Sequence, residues 1–239
     1  MKFSCEKALL QNAILTASRA VSPKSTIPAL EGLLLEAEDS GTVFLTGYNQ
    51  ETGIRSAIQA DVTEAGSMVL SARLFGEIVR KMPDDTLLFQ EEALKVHIAC
   101  GMSEFDLMGI DPEDFPELPT VEYQNCLTLS QSKLKAMISQ TIFAVSDNES
   151  RPVHTGSLFD IKGGNILITA NSEIGNVSEC VKAEMTGKEL KIAMNGKFML
   201  DALKALDEET VKLSFNTPIA PFTLENKENK ESSYLILPV

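Results

Sequence analysis

The sequence predicts an α+β protein made of two copies of one domain, each with two helices packed on one face of antiparallel sheet. Three observations predict it. The stretch Ser71–Phe89 reads as an N-cap, an amphipathic helix, a turn and a strand, and it recurs without a gap at an offset of 124 as Asn195–Leu213. The same offset relates Leu10, Ala13, Ile14, Ala17, Ala20 and Val21 to Leu134, Met137, Ile138, Thr141, Ala144 and Val145. Between the helical stretches lie short apolar runs bounded by turn residues, the pattern of strands. A chain of 239 residues, 44% apolar, is long enough for two such domains with real cores.

Taken in order, apolar residues at helical spacing predict a first helix near 6–20. Strands follow near 31–37, 42–46 and 53–62, then 67–70, with Asp39-Ser40-Gly41 and Glu64-Ala65-Gly66 as turns. A second helix spans 72–81. Ser71 is its N-cap, Leu74, Phe75, Ile78, Val79 and Met82 form its apolar face, and Pro83-Asp84-Asp85 stops it. Strands near 86–90, 94–100 and 103–109 close the first copy. Asp111–Tyr123, with three prolines and five acids, predicts an extended, solvated linker over 111–124 between domains 1–120 and 125–239. The second copy repeats the order, with helices near 131–142 and 195–206. Its strands are predicted near 155–161, 165–170, 175–184, 189–194, 210–216, 222–225 and 232–237. Helices with one apolar face, flanked by strands, pack on one side of a sheet.

No residue pattern points to catalysis. His97 and His154 sit in separate copies with no metal-ligand spacing around them, so no metal and no cofactor is expected. Gly163-Gly164 is a hairpin turn, because no helix start follows it. The paired acids Asp84-Asp85 recur as Glu208-Glu209 at the same turn, as helix stops do. Cys5, Cys100, Cys126 and Cys180 lack C-x-x-C spacing and read as thiols in a reducing cytosol. No apolar run approaches the roughly 20 residues that cross a bilayer, and the N-terminus lacks a secretion signal, so a cytoplasmic protein without membrane contact is expected.

Charge carries more information. The net charge is −13, yet the four helical stretches hold nine basic and three acidic residues, a net of +6, so the remainder carries −19. Four ordinary solvated faces would be the plain account. The sorting instead favours a surface that meets a polyanion without gripping it, within a shell that repels it.

The residues resemble those of a known family, the bacterial sliding clamp or beta subunit of DNA polymerase III. MKFSCEKALL, KSTIPALEGLLLEA, LTGYNQETGIR, VLSARLFGEIVRKMPDD and MSEFDLMGIDPEDFPELP are similar to its first domain almost end to end. LTLSQSKLKAMISQTIFAVSDNESRPVHTGSLFDI resembles the opening half of the second domain. NSEIGNVSE, MNGKFMLDALKAL and YLILPV resemble the closing half of the third. Family members typically have three domains per chain. The resemblance therefore implies a shortened chain whose second domain is a hybrid joined near Ala170-Asn171.

The resemblance implies a DNA-clamp fold and a non-catalytic ring that tethers the replicative polymerase to duplex DNA. Six-domain closure would take three such chains, a homo-oligomer, and hybrids could also associate head to tail. Sequence-independent DNA contact falls to Lys24, Arg73, Arg80, Arg151, Lys197 and Lys204. Lys24 and Arg151 stand at equivalent loops after the first helices and resemble family positions that touch DNA. Family clamps also bind short clamp-binding peptides of polymerase III and clamp loader subunits in an apolar pocket. Leu235, Leu237, Pro238 and Val239 resemble one wall of it. The other wall follows a T-D-x-H-R-L stretch in the family but reads Ala170-Asn171-Ser172-Glu173-Ile174-Gly175 here, and the family's last residues after Pro-Val are missing. Weak peptide binding is expected. A second reading is a clamp-derived interaction protein that binds replication partners or other clamp chains without encircling DNA.

Overall fold

All four helices form, and each buries the face that the repeat marks out. In the computed structural model, which describes residues 1–119, 125–145, 156–172, 175–206, 208–226 and 232–239, the chain divides into two compact units, Met1–Leu118 and Pro119–Val239. Helix α1, Lys7–Ala17, buries Leu10, Ala13, Ile14 and Ala17, and α3, Gln131–Thr141, buries Leu134, Met137, Ile138 and Thr141. Each tightens into a 3₁₀ turn, Ser18–Ala20 and Ile142–Ala144. Helix α2, Ala72–Lys81, buries Phe75 and Val79, and α4, Gly196–Ala205, buries their repeats Met199 and Leu203. The predicted caps hold: Ser71 Oγ accepts from Leu74 N–H at 3.5 Å and Asn195 Oδ1 from Lys197 N–H at 2.9 Å. Leu74 departs from the expected apolar face and is 40% exposed, because the helix turns Phe75 rather than Leu74 inward.

In the first unit the strands are β1 (Lys2–Glu6), β2 (Gly32–Ala37), β3 (Thr42–Tyr48), β4 (Thr52–Gln59), β5 (Asp61–Glu64), β6 (Gly66–Ser71), β7 (Thr86–Glu92), β8 (Lys95–Cys100) and β9 (Ser103–Met108). They run in the orders β5-β1-β7-β8-β9 and β4-β3-β2-β6, and each resolved pair is antiparallel. The second unit contains β10 (Asn125–Ser130), β11 (Ser157–Lys162), β12 (Asn165–Ser172), β13 (Gly175–Lys182), β14 (Glu184–Thr186), β15 (Leu190–Met194), β16 (Thr210–Phe215), β17 (Phe222–Asn226) and β18 (Ser232–Ile236). Their orders, β14-β10-β16-β17-β18 and β13-β12-β11-β15, repeat the first unit strand for strand. Duplication therefore extends from the sequence to the topology.

Two features correct the sequence expectation. The strand expected at 53–62 divides into β4 and β5, and that expected at 175–184 into β13 and β14. The division has one physical cause in both units. At the break, Ala60 N–H bonds to Gly41 O and Ala183 N–H to Gly164 O, each at 2.9 Å. Both glycines sit at positive φ, 84° and 73°, in the turn of the neighbouring hairpin. The chain then changes partners: β5 pairs with β1 (Phe3 opposite Val62) and β14 pairs with β10 (Leu127 opposite Met185).

The second correction concerns the joint. The acids of residues 111–118 are exposed, as expected of a solvated linker, but the segment is anchored to the first unit rather than extended along its whole length. Ile110 exchanges backbone hydrogen bonds with Val69, Pro112–Asp114 form a 3₁₀ turn, and Phe115 is buried. Phe115 is the apolar anchor, and the acids around it stay in solvent. Residues 120–124 of the expected linker lie outside the described residues, as does His154.

The core of the first unit joins both sheets and both helices. Phe3, Leu33, Leu45, Leu70, Phe75 and Phe89 are each 1% exposed or less. Close backbone approach is built into it by Gly32, where an added Cβ would meet Leu70 O at 2.8 Å. Its repeat Gly156 would bring a Cβ to 3.3 Å from Met194 O, the repeat of Leu70. Cys5, Cys100, Cys126 and Cys180 are all free, and burial pushes the Cys5 thiol up to about 12.

Candidate nucleic-acid interface

Helices α1 and α2 lie side by side in the first unit and α3 and α4 in the second. Between α1 and α2 runs a groove of about 220 Å³ whose lining includes Ile14, Leu15, Ala72, Arg73, Glu77 and Arg80. Arg73 stands exposed on the first turn of α2, with no carboxylate partner among the described residues. Its repeat Lys197 stands exposed on the first turn of α4. Lys24 is exposed in the loop after α1, and that loop is tied down: Ser22 N–H bonds to Leu30 O at 3.2 Å, Ser25 N–H to Glu31 Oε1 at 3.1 Å and Ile27 N–H to Ser25 Oγ at 3.1 Å. Arg151 lies outside the described residues.

Arg80 and Lys204 are present on the expected faces but are already paired. Arg80 Nη2 donates to both Glu77 oxygens, at 2.8 and 2.7 Å, and Lys204 Nζ to Asp201 Oδ1 at 3.0 Å. The hydrogen bond from Arg80, then its charge, holds the Glu77 carboxyl below the usual carboxylate range. The i,i+3 spacing that makes both pairs was visible in the sequence.

Lys7, counted in the basic layer, is a correction. Its side chain is buried and its Nζ lies 2.7 Å from Asp84 Oδ1, so it fastens α1 to the turn after α2 rather than facing a polyanion. Gln131, its repeat, does the equivalent job without charge, donating from Nε2 to Leu203 O and Leu206 O at 2.7 Å. Lys133, exposed near the start of α3, is a further cation beyond the six expected from the sequence.

The C-terminal stretch divides. Leu235 is buried within β18, Leu237 and Pro238 are half-buried, and Val239 is exposed with its N–H on Ala193 O at 3.1 Å. Leu237, Pro238 and Val239 thus supply the accessible apolar surface. Among the described residues no three of His, Cys, Asp and Glu gather in a way that could hold a metal.

Paired helices with a cationic face, laid on antiparallel sheet and repeated with identical strand order, define the DNA-clamp class of fold. The family model described as "DNA polymerase III beta subunit, N-terminal domain" matches residues 1–119, and "DNA polymerase III beta subunit, C-terminal domain" matches 118–239. The beta sliding clamp of Halalkalibacterium halodurans is 34% identical over 220 residues, covering 87% of this chain and 58% of the relative. That of Bacillus subtilis is 32% identical over 219 residues, covering 87% and 57%. The crystal structure of the Helicobacter pylori beta clamp bound to a DNA ligase peptide matches all of this chain and 66% of that one, with a TM-score of 0.86 at 16% identity, a likeness of fold. The chain belongs to the DNA polymerase III beta subunit, or beta sliding clamp, family. It spans less than three fifths of the length of these curated relatives.

Proposed function

We propose that the chain is a DNA sliding-clamp subunit, a processivity factor that holds duplex DNA against its helical faces and tethers the replicative polymerase to it. The observation that carries the reading is the duplicated placement of Arg73 and Lys197, exposed cations on the first turns of equivalent helices. Such cations attract phosphate on any sequence. Sliding needs that indifference. The protein acts by holding rather than by chemistry, without a cofactor.

The domains in this reading are 1–120 and 125–239, each a whole clamp domain. The unit boundary at 118 and 119 supports it, as do family matches meeting at the same place. Six domains then need three chains. Clamp-binding peptides of polymerase III and clamp loader subunits would rest on Leu237, Pro238 and Val239, weakly, because little apolar area is offered. The setting is the cytoplasm, where an exposed free thiol such as Cys180 survives. Among the described residues no helix is long and apolar enough to cross a membrane.

Light scattering behind a sizing column, run with and without a fluorescent clamp-motif peptide, tests the assembly. A mass near three times the chain's 26.0 kDa is expected, with faint peptide comigration. A strict monomer at micromolar concentration would favour the second reading, a clamp-derived interaction protein that does not encircle DNA. The pairing already made by Lys7, Arg80 and Lys204 is the observation on that side.

A further inference from the structure

We propose that Glu77 and its repeat Asp201 are charge masks: each holds cations of its own helix in place and below full strength, so that the helical face guides a duplex without gripping it. The inference rests on the DNA-holding reading above. Glu77 is the only acid on α2 and Asp201 the only acid on α4, while α1 and α3 have none. Both take the same position relative to the repeat and make the same i,i+3 bond, to Arg80 and to Lys204. Glu77 also lies 3.7 Å from Lys81 Nζ, so one carboxylate stands against two cations.

Fold stability is a weak reason for these pairs. The Glu77 and Arg80 side chains are 45% and 60% exposed, and those of Asp201 and Lys204 are 56% and 51% exposed. Exposed pairs within a helix contribute little to stability. Their effect on a polyanion is larger. A phosphate approaching Arg80 meets a carboxylate to which Nη2 already donates, and the negative charge of that carboxylate opposes its own. Each masked cation therefore releases fewer counterions on binding, which lowers the affinity and flattens its salt dependence. Arg73, on the same helix, has no such carboxylate among the described residues. Bare and masked cations then share one face, giving orientation from the first and low friction from the second.

The test compares Glu77→Gln with Asp201→Asn against a control of equal charge change outside the helices, Glu51→Gln with Glu64→Gln. Each protein is titrated onto a short linear duplex of mixed sequence by fluorescence anisotropy from about 50 to 200 mM salt. The mask variant is expected to bind several-fold tighter than the control at low salt, with a log–log slope steeper by roughly 1 to 2. Adding Arg80→Gln and Lys204→Gln to it should remove the gain, and the melting temperature should stay near that of the unsubstituted protein. Equal binding by the mask variant and the control overturns the inference, and salt-dependent binding by the unsubstituted protein would leave the DNA-holding reading standing. Absence of binding by every protein at every salt overturns both.

Discussion

Replacing Phe89 by Ala is expected to destabilise the first unit by about 3–5 kcal/mol, the cost of emptying a buried phenylalanine site. Phe89 is fully buried on β7 and holds three elements together. Its ring stacks on Phe3 of β1 at 4.6 Å between centroids and meets the edge of Phe75 of α2 at 6.2 Å. The substitution leaves a cavity and also removes two aromatic pairs. Set against a domain stability of roughly 5–15 kcal/mol, the loss is a large fraction. The repeat position holds Leu213, also buried, for which Leu213→Ala should cost less because no aromatic pair is involved. Urea unfolding followed by circular dichroism measures both, since the chain has no tryptophan. An unchanged midpoint for Phe89→Ala would contradict the common core of sheet and helix.

Reversing charge at Arg73 and Lys197 together, to Glu, is expected to remove most duplex binding while leaving the fold intact. Both side chains are exposed, and both stand on a first helical turn, where an acid is favoured by the helix dipole. Two lost cations should lower the magnitude of the salt slope by about 2, and two gained acids add repulsion. Anisotropy at low salt, with circular dichroism of the same samples, reads both halves. Unaltered affinity would mean that the helical faces do not carry the DNA.

Much of the fold was legible because duplication writes each pattern twice. The spacing of Leu10, Ala13, Ile14 and Ala17 predicts α1, and its recurrence at Leu134, Met137, Ile138 and Thr141 makes the period unambiguous. The strands β1 and β10 were missed. In Lys2–Glu6 and Asn125–Ser130 the strand alternation runs straight into the helix with no breaker between them, so the period of 3.6 masks the period of 2. The breaks at Ala60 and Ala183 depend on carbonyls of Gly41 and Gly164 supplied by another hairpin, a long-range cause that local pattern does not carry.

The site was legible in kind but not in detail. Arg73, Lys197 and Lys24 stand exposed where their positions imply. Arg80 and Lys204 share those faces, but each is paired with an acid three residues earlier, Glu77 and Asp201, a spacing readable in the sequence. Lys7 was misread because its partner Asp84 lies 77 residues away, and only the packing of α1 against the turn after α2 joins them. Burial of Phe115 likewise overrides a composition that reads as linker.

If three chains close around a duplex as proposed, retention must depend on the topology of the DNA. Retention on plasmid measures this: the protein is assembled with a nicked circular plasmid, with and without a clamp-loading complex, washed at raised salt and recovered by gel filtration. Protein is expected to stay with the circle through the wash and to be released when the circle is cut once. Equal retention on circular and linear plasmid, or none on either, would contradict that closure.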